Sequence, residues 1–394
     1  MRFSYRCILL LSLFITSNAF SQRARKIHFK SILIDTHNDI PETALAKGFS
    51  FDQQLKGKTY SDLQRMKEGG VDAQFFSIWC DGQEKDPYAM ANRQMDTVMA
   101  WTNRNPDRMQ QAFTAEDIIK ISKQKKLAVL FGVEGGHMIE NDLNKLDALY
   151  KRGARYMTLT WNNSTDWATS AAYEASGEGV IDPERKKGLT DFGKQIVKRM
   201  NELGMLVDLS HVGEQTFRDV MATTSKPVLV SHSCVYTLCP HRRNLKDEQI
   251  KAVAKNGGVI HLNFYSGFLD STFEARSDAF TARHKSEMDS LKKINPEPYF
   301  TEFFLFEKYP DEVKGLRPPL SLLMDHLDYI VRLVGVDYVG LGSDFDGINS
   351  SPVSLDGVED FPMITEELVK RGYSNKDIRK ILGGNLLRVF RANQ

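Results

Sequence analysis

The chain has 394 residues, of which 41% are hydrophobic, and this composition supports a sizeable core and argues against intrinsic disorder. Lys and Arg total 52 and Asp and Glu total 51, so the net charge is only +1. This balance argues against nucleic acid as a partner, because phosphate binding requires clustered basic side chains, and favours a small-molecule ligand.

The first predicted element is a signal peptide over residues 1–22. Arg2 and Arg6 give a positively charged start, and the apolar run over 7–15 is too short to span a bilayer. Small residues suited to a signal peptidase follow. The pattern predicts export to the periplasm or the medium, and its alternative is a buried N-terminal helix. The mature chain is expected to have no transmembrane segment or lipid anchor.

Eight short, apolar, β-branched runs follow, and each predicts a strand. They lie at 32–35, 72–79, 128–133, 156–160, 206–209, 228–230, 259–264 and 338–342. Segments with helical spacing separate them, such as Leu189 to Leu203, which Gly204 ends, and Leu323 to Val334. Apolar strands that alternate with amphipathic helices are typical of parallel strands covered by helices. We therefore predict an α/β chain with a (β/α)8 TIM barrel, in one domain over 23–394.

One stretch does not fit the repeat. Residues 267–319 contain several Lys and Arg among Phe and Glu, and they show no strand signal. This predicts a mostly helical insertion after the seventh strand. Loops at that face of a barrel border the active site, so a lid and a solvated decoration both remain open.

Cysteines are few in the predicted mature chain. Cys234 and Cys239 are close enough in sequence to form a bridge, although the sequence cannot show the geometry that a disulfide needs. The chain has no CxxC motif and no Cys/His cluster. Any metal is therefore expected to bind through imidazole and carboxylate groups.

Ionisable side chains follow five of the eight predicted strands. Individually, a histidine there is more often a packed residue, and Asp208 and Asp346 fit the N-cap of a following helix. Jointly they indicate a site, because burying so many unpaired charges would be costly. Strand one is followed by His37 and Asp39, strand three by Glu134, strand five by His211, strand six by His232 and strand eight by Asp344.

These residue types suggest the chemistry of the site. Three imidazoles and two or three carboxylates without thiolates suit two zinc ions that share a bridging carboxylate. Such a pair lowers the pKa of bound water to about 7. The pattern therefore predicts hydrolysis by attack of hydroxide on a carbonyl or phosphoryl centre.

The motifs around these residues resemble the membrane (renal) dipeptidase family of zinc peptidases. The likeness runs in order through nearly the whole mature chain. The matching segments are DTHNDIP at 35–41, GVEGGH at 132–137, VDLSH at 207–211, SHS at 231–233, RRN at 242–244, NFY at 263–265, GSDFDG at 342–347 and GNLLRVF at 384–390.

The resemblance implies a dipeptidase with a defined set of metal ligands. His37 and Asp39 would hold the first zinc ion, and Glu134 would bridge to the second. His211 and His232 would complete that second site. The resemblance also implies that the enzyme forms a homodimer.

Further residues take roles from the same resemblance. Asp344 resembles the family's acid/base, which accepts a proton from the attacking water and passes it to the leaving amine. Arg243 resembles the clamp on the terminal carboxylate of the dipeptide, and its alternative is a surface salt bridge. Tyr265 resembles a substrate contact.

The sequence departs from the family in three respects. Trp161 follows Leu-Thr where the dipeptidases carry a histidine, so it either alters turnover and substrate choice or forms an apolar pocket wall. Cys80 and Cys239 match disulfide residues of mammalian members, but their mates are missing. The insertion and the expected lack of an anchor resemble bacterial members.

Two other functions stay open. The first is a binuclear metal amidohydrolase that acts on another amide, an N-acyl amino acid or a lactone. The second is an exported binding protein with impaired catalysis. Trp161 in place of the family histidine motivates both of these alternatives.

Overall fold

The computed structural model describes residues 21–176, 186–294 and 298–394. The predicted signal peptide lies outside the described residues except for its last two positions. Within the described ranges, we find no helix that combines the length and the apolar character needed to cross a bilayer.

Parallel strands form the centre of the fold. β2 pairs with both β1 and β4, and this closes eight strands into a barrel in the order β2-β1-β9-β8-β7-β6-β5-β4. The predicted (β/α)8 barrel is therefore confirmed. The strands are β1 (Leu33–Asn38), β2 (Val71–Trp79), β3 (Met109–Gln111), β4 (Leu127–Glu134), β5 (Ala154–Thr158), β6 (Leu206–Asp208), β7 (Leu229–Val230), β8 (Val259–Leu262) and β9 (Val339–Leu341).

Helices surround the barrel. Both helices singled out from the sequence are present as α8 and α16, and Gly204 ends α8 in the left-handed conformation with φ 79°. The helices are α1 (21–28), α2 (Ile40–Lys47), α3 (Leu63–Glu68), α4 (Pro87–Arg104), α5 (Ala115–Lys123), α6 (Leu143–Arg152), α7 (Ala171–Ala175), α8 (Asp191–Leu203), α9 (Glu214–Thr223), α10 (Asp247–Asn256), α11 (Ser266–Leu269), α12 (Phe273–Arg283), α13 (Lys285–Ile294), α14 (Pro298–Lys308), α15 (Pro310–Lys314), α16 (Leu320–Val334), α17 (Phe361–Lys370), α18 (Asn375–Arg379) and α19 (Asn385–Asn393).

The insertion after the seventh barrel strand, β8, is helical, as predicted. It comprises α11 to α15 and has a small apolar core of its own, in which Phe273, Phe280 and Leu305 are fully buried. Tyr265 packs against this core from the end of β8. The insertion is therefore a packed layer beside the barrel mouth.

A core cluster inside the fold supports the polar end of the barrel. Ile34, Phe75 and Leu130 from the strands meet Phe390 of α19 in this cluster. Tyr156 of β5 belongs to the same cluster and is fully buried, and its hydroxyl reaches the polar residues above. The apolar core thus fixes one contact of the site directly.

The cysteines of the described residues are buried and unpaired. The thiol of Cys234 donates to the carbonyl oxygen of Asn263 at 3.2 Å, and that of Cys239 donates to the carbonyl oxygen of Gly267 at 3.3 Å. Cys80 is also free. The bridge between Cys234 and Cys239 that sequence proximity allowed is not formed in the structure.

Candidate functional site

The other four side chains predicted as metal ligands gather around the carboxylate of Glu134. On one side, Nε2 of His37 lies 3.2 Å from Oε2, and Oδ2 of Asp39 lies 3.5 Å from the same Nε2. On the other side, Nε2 of His211 and Nε2 of His232 lie 2.9 Å and 3.4 Å from Oε1. Glu134 thus separates two groups of donor atoms, one at each of its oxygens.

Sharp backbone turns bring these side chains inward. His211 and Asp344 adopt left-handed conformations with φ 64° and 60°, which are unusual for residues other than glycine. Gly135 has φ 110° directly after Glu134, and a Cβ there would lie 2.4 Å from the His137 ring. Such turns cost conformational energy and cluster at functional sites in folded proteins.

The tautomer of His37 follows from its hydrogen bonds. The Tyr156 hydroxyl donates its proton to the carbonyl oxygen of Thr36 at 3.0 Å, so the phenolic oxygen accepts from Nδ1–H of His37 at 2.7 Å. In the neutral ring, Nε2 therefore carries a lone pair and points at Glu134 and Asp39.

The tautomer of His232 is fixed in a similar way. Ser231 donates its hydroxyl proton to Oδ2 of Asp208 at 2.6 Å, so its oxygen accepts from Nδ1–H of His232 at 2.7 Å. Nε2 of His232 is left with a lone pair that faces Oε1 of Glu134. Partners of this kind orient histidines that bind metals.

The donor set fits metal ions. Imidazole lone pairs that face a carboxylate repel it unless a cation lies between them. Oδ2 of Asp39 is buried without a hydrogen-bond partner, and Nε2 of His211 lies 3.1 Å from Nε2 of His232. Ligand atoms of His37, Glu134 and His232 lie within 4.8 Å of one another, as do those of His37, Asp39 and Asp344.

Electrostatics differ between the two sides. Burial alone would lower the pKa of His37, but the charges of Glu134 and Asp39 raise it to about 10. Burial, assisted by the charge of Arg243, lowers the pKa of His211 to about 3. The field at His37 therefore favours a positive charge, which either a proton or a metal ion supplies.

Asp344 lies at the edge of the cluster and is partly accessible. Its Oδ1 is 3.9 Å from Nε2 of His37, and its Oδ2 accepts a hydrogen bond from the Asn263 amide at 2.7 Å. Burial raises the pKa of the Asp344 carboxyl above its ordinary value. A raised pKa suits a group that gains and loses a proton near neutral pH.

A cavity of about 660 Å³ opens above the cluster. Its volume is that of a small-molecule site. All three residues predicted to contact substrate, Arg243, Trp161 and Tyr265, line this cavity together with Glu134 and Asp344. The structure thus brings the predicted metal ligands and the predicted substrate contacts to one place.

Arg243 is buried beside the cavity without an ion pair among the described residues. Its guanidinium donates to Oγ of Ser233 at 3.2 Å and to the carbonyl oxygen of His232 at 3.3 Å, and it lies over the Phe268 ring. Its Nε has no partner. The alternative of a surface salt bridge is therefore wrong, and the free donors suit an anionic ligand.

Trp161 forms part of the cavity wall. Its ring lies 5.0 Å from that of Trp79 in an edge-to-face arrangement and 6.3 Å from that of His211. On the insertion side, Phe303 and Phe304 line the same cavity. The insertion is therefore part of the wall of the site and is not a remote decoration.

The family model of the membrane dipeptidases (Peptidase family M19) matches residues 21–394. The chain belongs to the membrane dipeptidase family. It is therefore an enzyme of the metallo-dipeptidase type, and the family requires a metal cofactor. The resemblance inferred from the sequence motifs is confirmed.

Solved structures share the barrel of this family member. The probable dipeptidase PvdM from Pseudomonas aeruginosa is 24% identical with a TM-score of 0.78, over 96% of this chain and 99% of that chain. A metallo peptidase from Rhodobacter sphaeroides, liganded with a phosphinate mimic of the dipeptide L-Ala-D-Ala, is 22% identical with a TM-score of 0.74, over 92% and 100%. An amidohydrolase from Pseudomonas aeruginosa is 22% identical with a TM-score of 0.69, over 94% and 98%.

The sequence interpretation of two acids near the site was wrong. Asp208 is not an N-cap, because α9 begins at Glu214 after the cap residue Gly213. Its carboxylate accepts from the backbone N–H of Ser231 at 2.8 Å and orients the Ser231 hydroxyl. Asp346 accepts the backbone N–H of Tyr60 at 2.7 Å and caps no following helix.

Other positioning residues were also missed. Tyr156 and Ser231 fix the two histidine tautomers, and Asn263 holds Asp344. The serines directly before His211 and His232 were visible as a repeated Ser-His pair. That repeat was the one available signal, since a tyrosine in the middle of β5 reads as a core residue.

Proposed function

We propose that this membrane dipeptidase family member hydrolyses the peptide bond of dipeptides with two zinc ions. His37 and Asp39 would hold one ion, and His211 and His232 would hold the other. Glu134 would bind both ions. The observation that carries the proposal is the convergence of imidazole Nε2 atoms on both oxygens of the buried Glu134 carboxylate. Zinc is the expected metal because it accepts nitrogen and oxygen ligands together.

The chain's own residues account for proton transfer. When bound, the paired ions supply a hydrolytic water of lowered pKa. Asp344 accepts a proton at Oδ1 and delivers it to the nitrogen of the leaving amine, while Asn263 holds its Oδ2. Because Asp344 lines the cavity and also faces His37, it can reach both the substrate and the polar cluster.

Arg243 holds the carboxyl end of the substrate. Its guanidinium is buried, lines the cavity and has no carboxylate partner among the described residues, so a substrate carboxylate completes its hydrogen bonding. Arginine is suited to this role because its planar donors match the two carboxylate oxygens. A carboxylate held one residue beyond the scissile bond admits a single residue on the leaving side, as in a dipeptide.

The test compares alanyl-alanine with its C-terminal amide, for both stereoisomers at the second residue. Chelation of the metal should abolish hydrolysis by the wild-type enzyme. Arg243→Ala should lower kcat/KM for the free acid by about 10- to 100-fold, the loss of a charged hydrogen bond, and leave the amide unchanged. Hydrolysis that survives complete chelation, or equal losses on both substrates, would contradict the proposal.

A second candidate keeps the metals and replaces the dipeptide with an N-acyl amino acid, another amide or a lactone. Trp161, which stands where the family's dipeptidases carry a histidine, favours it, because indole is a neutral donor. Turnover of N-acyl amino acids with no turnover of dipeptides would establish this candidate. The absence of any turnover would instead support an exported binding protein.

We also propose export and self-association. The N-terminal pattern at residues 1–22 supports cleavage of a signal peptide, and the family resemblance supports a homodimer. Sequencing the N-terminus of protein recovered from the periplasm or medium tests the first proposal, and light scattering of the purified enzyme tests the second. An uncleaved cytoplasmic protein or a strict monomer would contradict them.

A further inference from the structure

A second cavity, of about 320 Å³, lies beside the main one, between α7, α9 and the start of α10. His211, Arg242 and Arg243 line both cavities, so these three side chains form their common border. The proposed function uses the main cavity alone. The second cavity therefore begins at the guanidinium that is proposed to hold the carboxyl end of the substrate.

The wall of the second cavity carries an excess of positive charge. The wall of the main cavity, outside the proposed metal ligands and Asp344, holds three acids and three cations. The second cavity has two acids and five cations, which are Lys187, Arg218, Arg242, Arg243 and Lys246. An anionic group of a ligand is therefore favoured in the second cavity.

Both acids of the second cavity already have partners. The carboxylate of Glu174 accepts the backbone N–H groups of Gln215 and Thr216, at 2.8 Å and 3.3 Å, in the first turn of α9. The positive end of that helix therefore offsets its charge. Glu214 pairs with Lys246 at 2.6 Å. Neither acid cancels the charge of the remaining cations.

Two arginines of this wall remain available to an anion. Arg242 makes no ion pair and no side-chain hydrogen bond within the described residues. Its charge acts on Glu274, but that acid lines only the main cavity. Arg218 donates to the side chain of Gln215 and lies 3.9 Å from the Glu214 carboxylate. An ion pair of that length on an exposed side chain contributes little, so its guanidinium can accept a further partner.

Apolar side chains complete the wall. Leu209, Val212 and Leu245 are buried and line the second cavity, and the more exposed ring of Tyr236 lies beside them. A ligand group with a short apolar stem and a terminal carboxylate matches this lining, because its methylene groups can pack on the apolar residues while the carboxylate faces the cations.

We propose that the second cavity receives an acidic side chain on the second residue of the substrate, so that the enzyme prefers dipeptides that end in glutamate or aspartate. This rests on the proposed function, because it takes the terminal carboxylate of that residue to lie at Arg243. The side chain leaves the carbon atom that carries this carboxylate, so it starts at the border of the two cavities. Its own carboxylate then lies only a few bonds further on.

The experiment compares alanyl-glutamate with alanyl-glutamine, which has nearly the same shape and no side-chain charge. Both are used with the stereochemistry at the second residue that the enzyme hydrolyses faster. The wild-type enzyme should show a kcat/KM about 5- to 10-fold higher for alanyl-glutamate, as expected for a partly exposed carboxylate among several cations. Arg218→Glu should abolish this preference because it reverses one charge of the wall, and Arg218→Gln should give an intermediate preference.

The matched control is Arg283→Glu in the insertion. The Arg283 side chain is 57% exposed, against 61% for Arg218, and it pairs with one acid, Glu312, but it lines neither cavity. This control should keep the wild-type preference.

The outcomes separate the two proposals. Equal hydrolysis of both dipeptides by the wild-type enzyme would overturn the inference while the dipeptidase proposal stands. A preference that survives Arg218→Glu, or that Arg283→Glu removes to the same extent, would do the same. A wild-type enzyme that hydrolyses neither dipeptide would overturn the proposed function and the inference together.

Discussion

The two sides of Glu134 use the same ligand type in opposite electrostatic settings. On the His37 side, Glu134 and Asp39 overcome the effect of burial and raise the pKa of His37 to about 10. On the other side, burial lowers the pKa of His211 to about 3, and it lowers the pKa of His232 as well. One side attracts a cation by charge, and the other offers neutral lone pairs.

The supports of the two sides differ as well. His37 is held by Tyr156, which belongs to the apolar core of the barrel. His232 is held by Ser231, which Asp208 orients through a chain of hydrogen bonds between neighbouring strand ends. The two metal positions are therefore expected to respond to different mutations.

The largest effect is expected from Asp344→Asn, which removes a negative charge from the His37 side alone. We expect kcat on a dipeptide to fall by about 10²- to 10⁴-fold, because a general acid/base is lost. KM and metal content should stay close to wild type, since the five proposed ligands remain. Steady-state kinetics with metal analysis on the same sample checks this, and a loss of less than tenfold would count against the role.

A matched pair of variants sharpens the comparison between the sides. Ser231→Ala and Tyr156→Phe each delete one hydroxyl, and each should weaken metal binding by about 10- to 100-fold. Ser231→Ala should weaken metal binding at His211 and His232. Tyr156→Phe should weaken metal binding at His37. Titration of metal-free protein should show one weakened equivalent of metal in each variant, and identical changes would contradict the division.

A smaller effect, on the free energy of unfolding, is expected from two buried histidines that are not proposed metal ligands. Burial lowers the pKa of both His261 and His326 to about 4, below the value of 6.5 expected in the unfolded chain. Their contribution to stability is present above pH 6.5 and is lost as pH falls through this window to about 4.

Each of these histidines should lower the free energy of unfolding by about 2 kcal/mol as the pH falls from 7 to 5. His261→Gln should therefore make the dependence of stability on pH shallower over this range, whatever its effect at pH 7. Denaturant unfolding at several pH values measures the slope. A slope equal to that of the wild-type protein would contradict burial of a neutral His261.

The barrel could be predicted from sequence because each of its eight strands contains buried apolar residues. β3 was missed because Met109–Gln111 is short and largely polar, and it pairs only with the first residues of β4. The proposed ligands were recognisable because strand ends meet at one face of a barrel.

The supporting contacts were not predictable in the same way. Asp208 resembled a helix cap because its partner Ser231 lies 23 residues away in the sequence and meets it only through strand pairing. The place of Trp161 beside Trp79 also depends on the fold, because the two rings come from different strand ends. Sequence spacing carries no information about such contacts between strands.

The most direct test of the paired centre is a metal count on the purified enzyme, with each position resolved by anomalous diffraction. We expect two zinc ions per chain, one bound by His37 and Asp39 and one by His211 and His232, with Glu134 between them. A single ion, or two ions with Glu134 bound to neither, would contradict it.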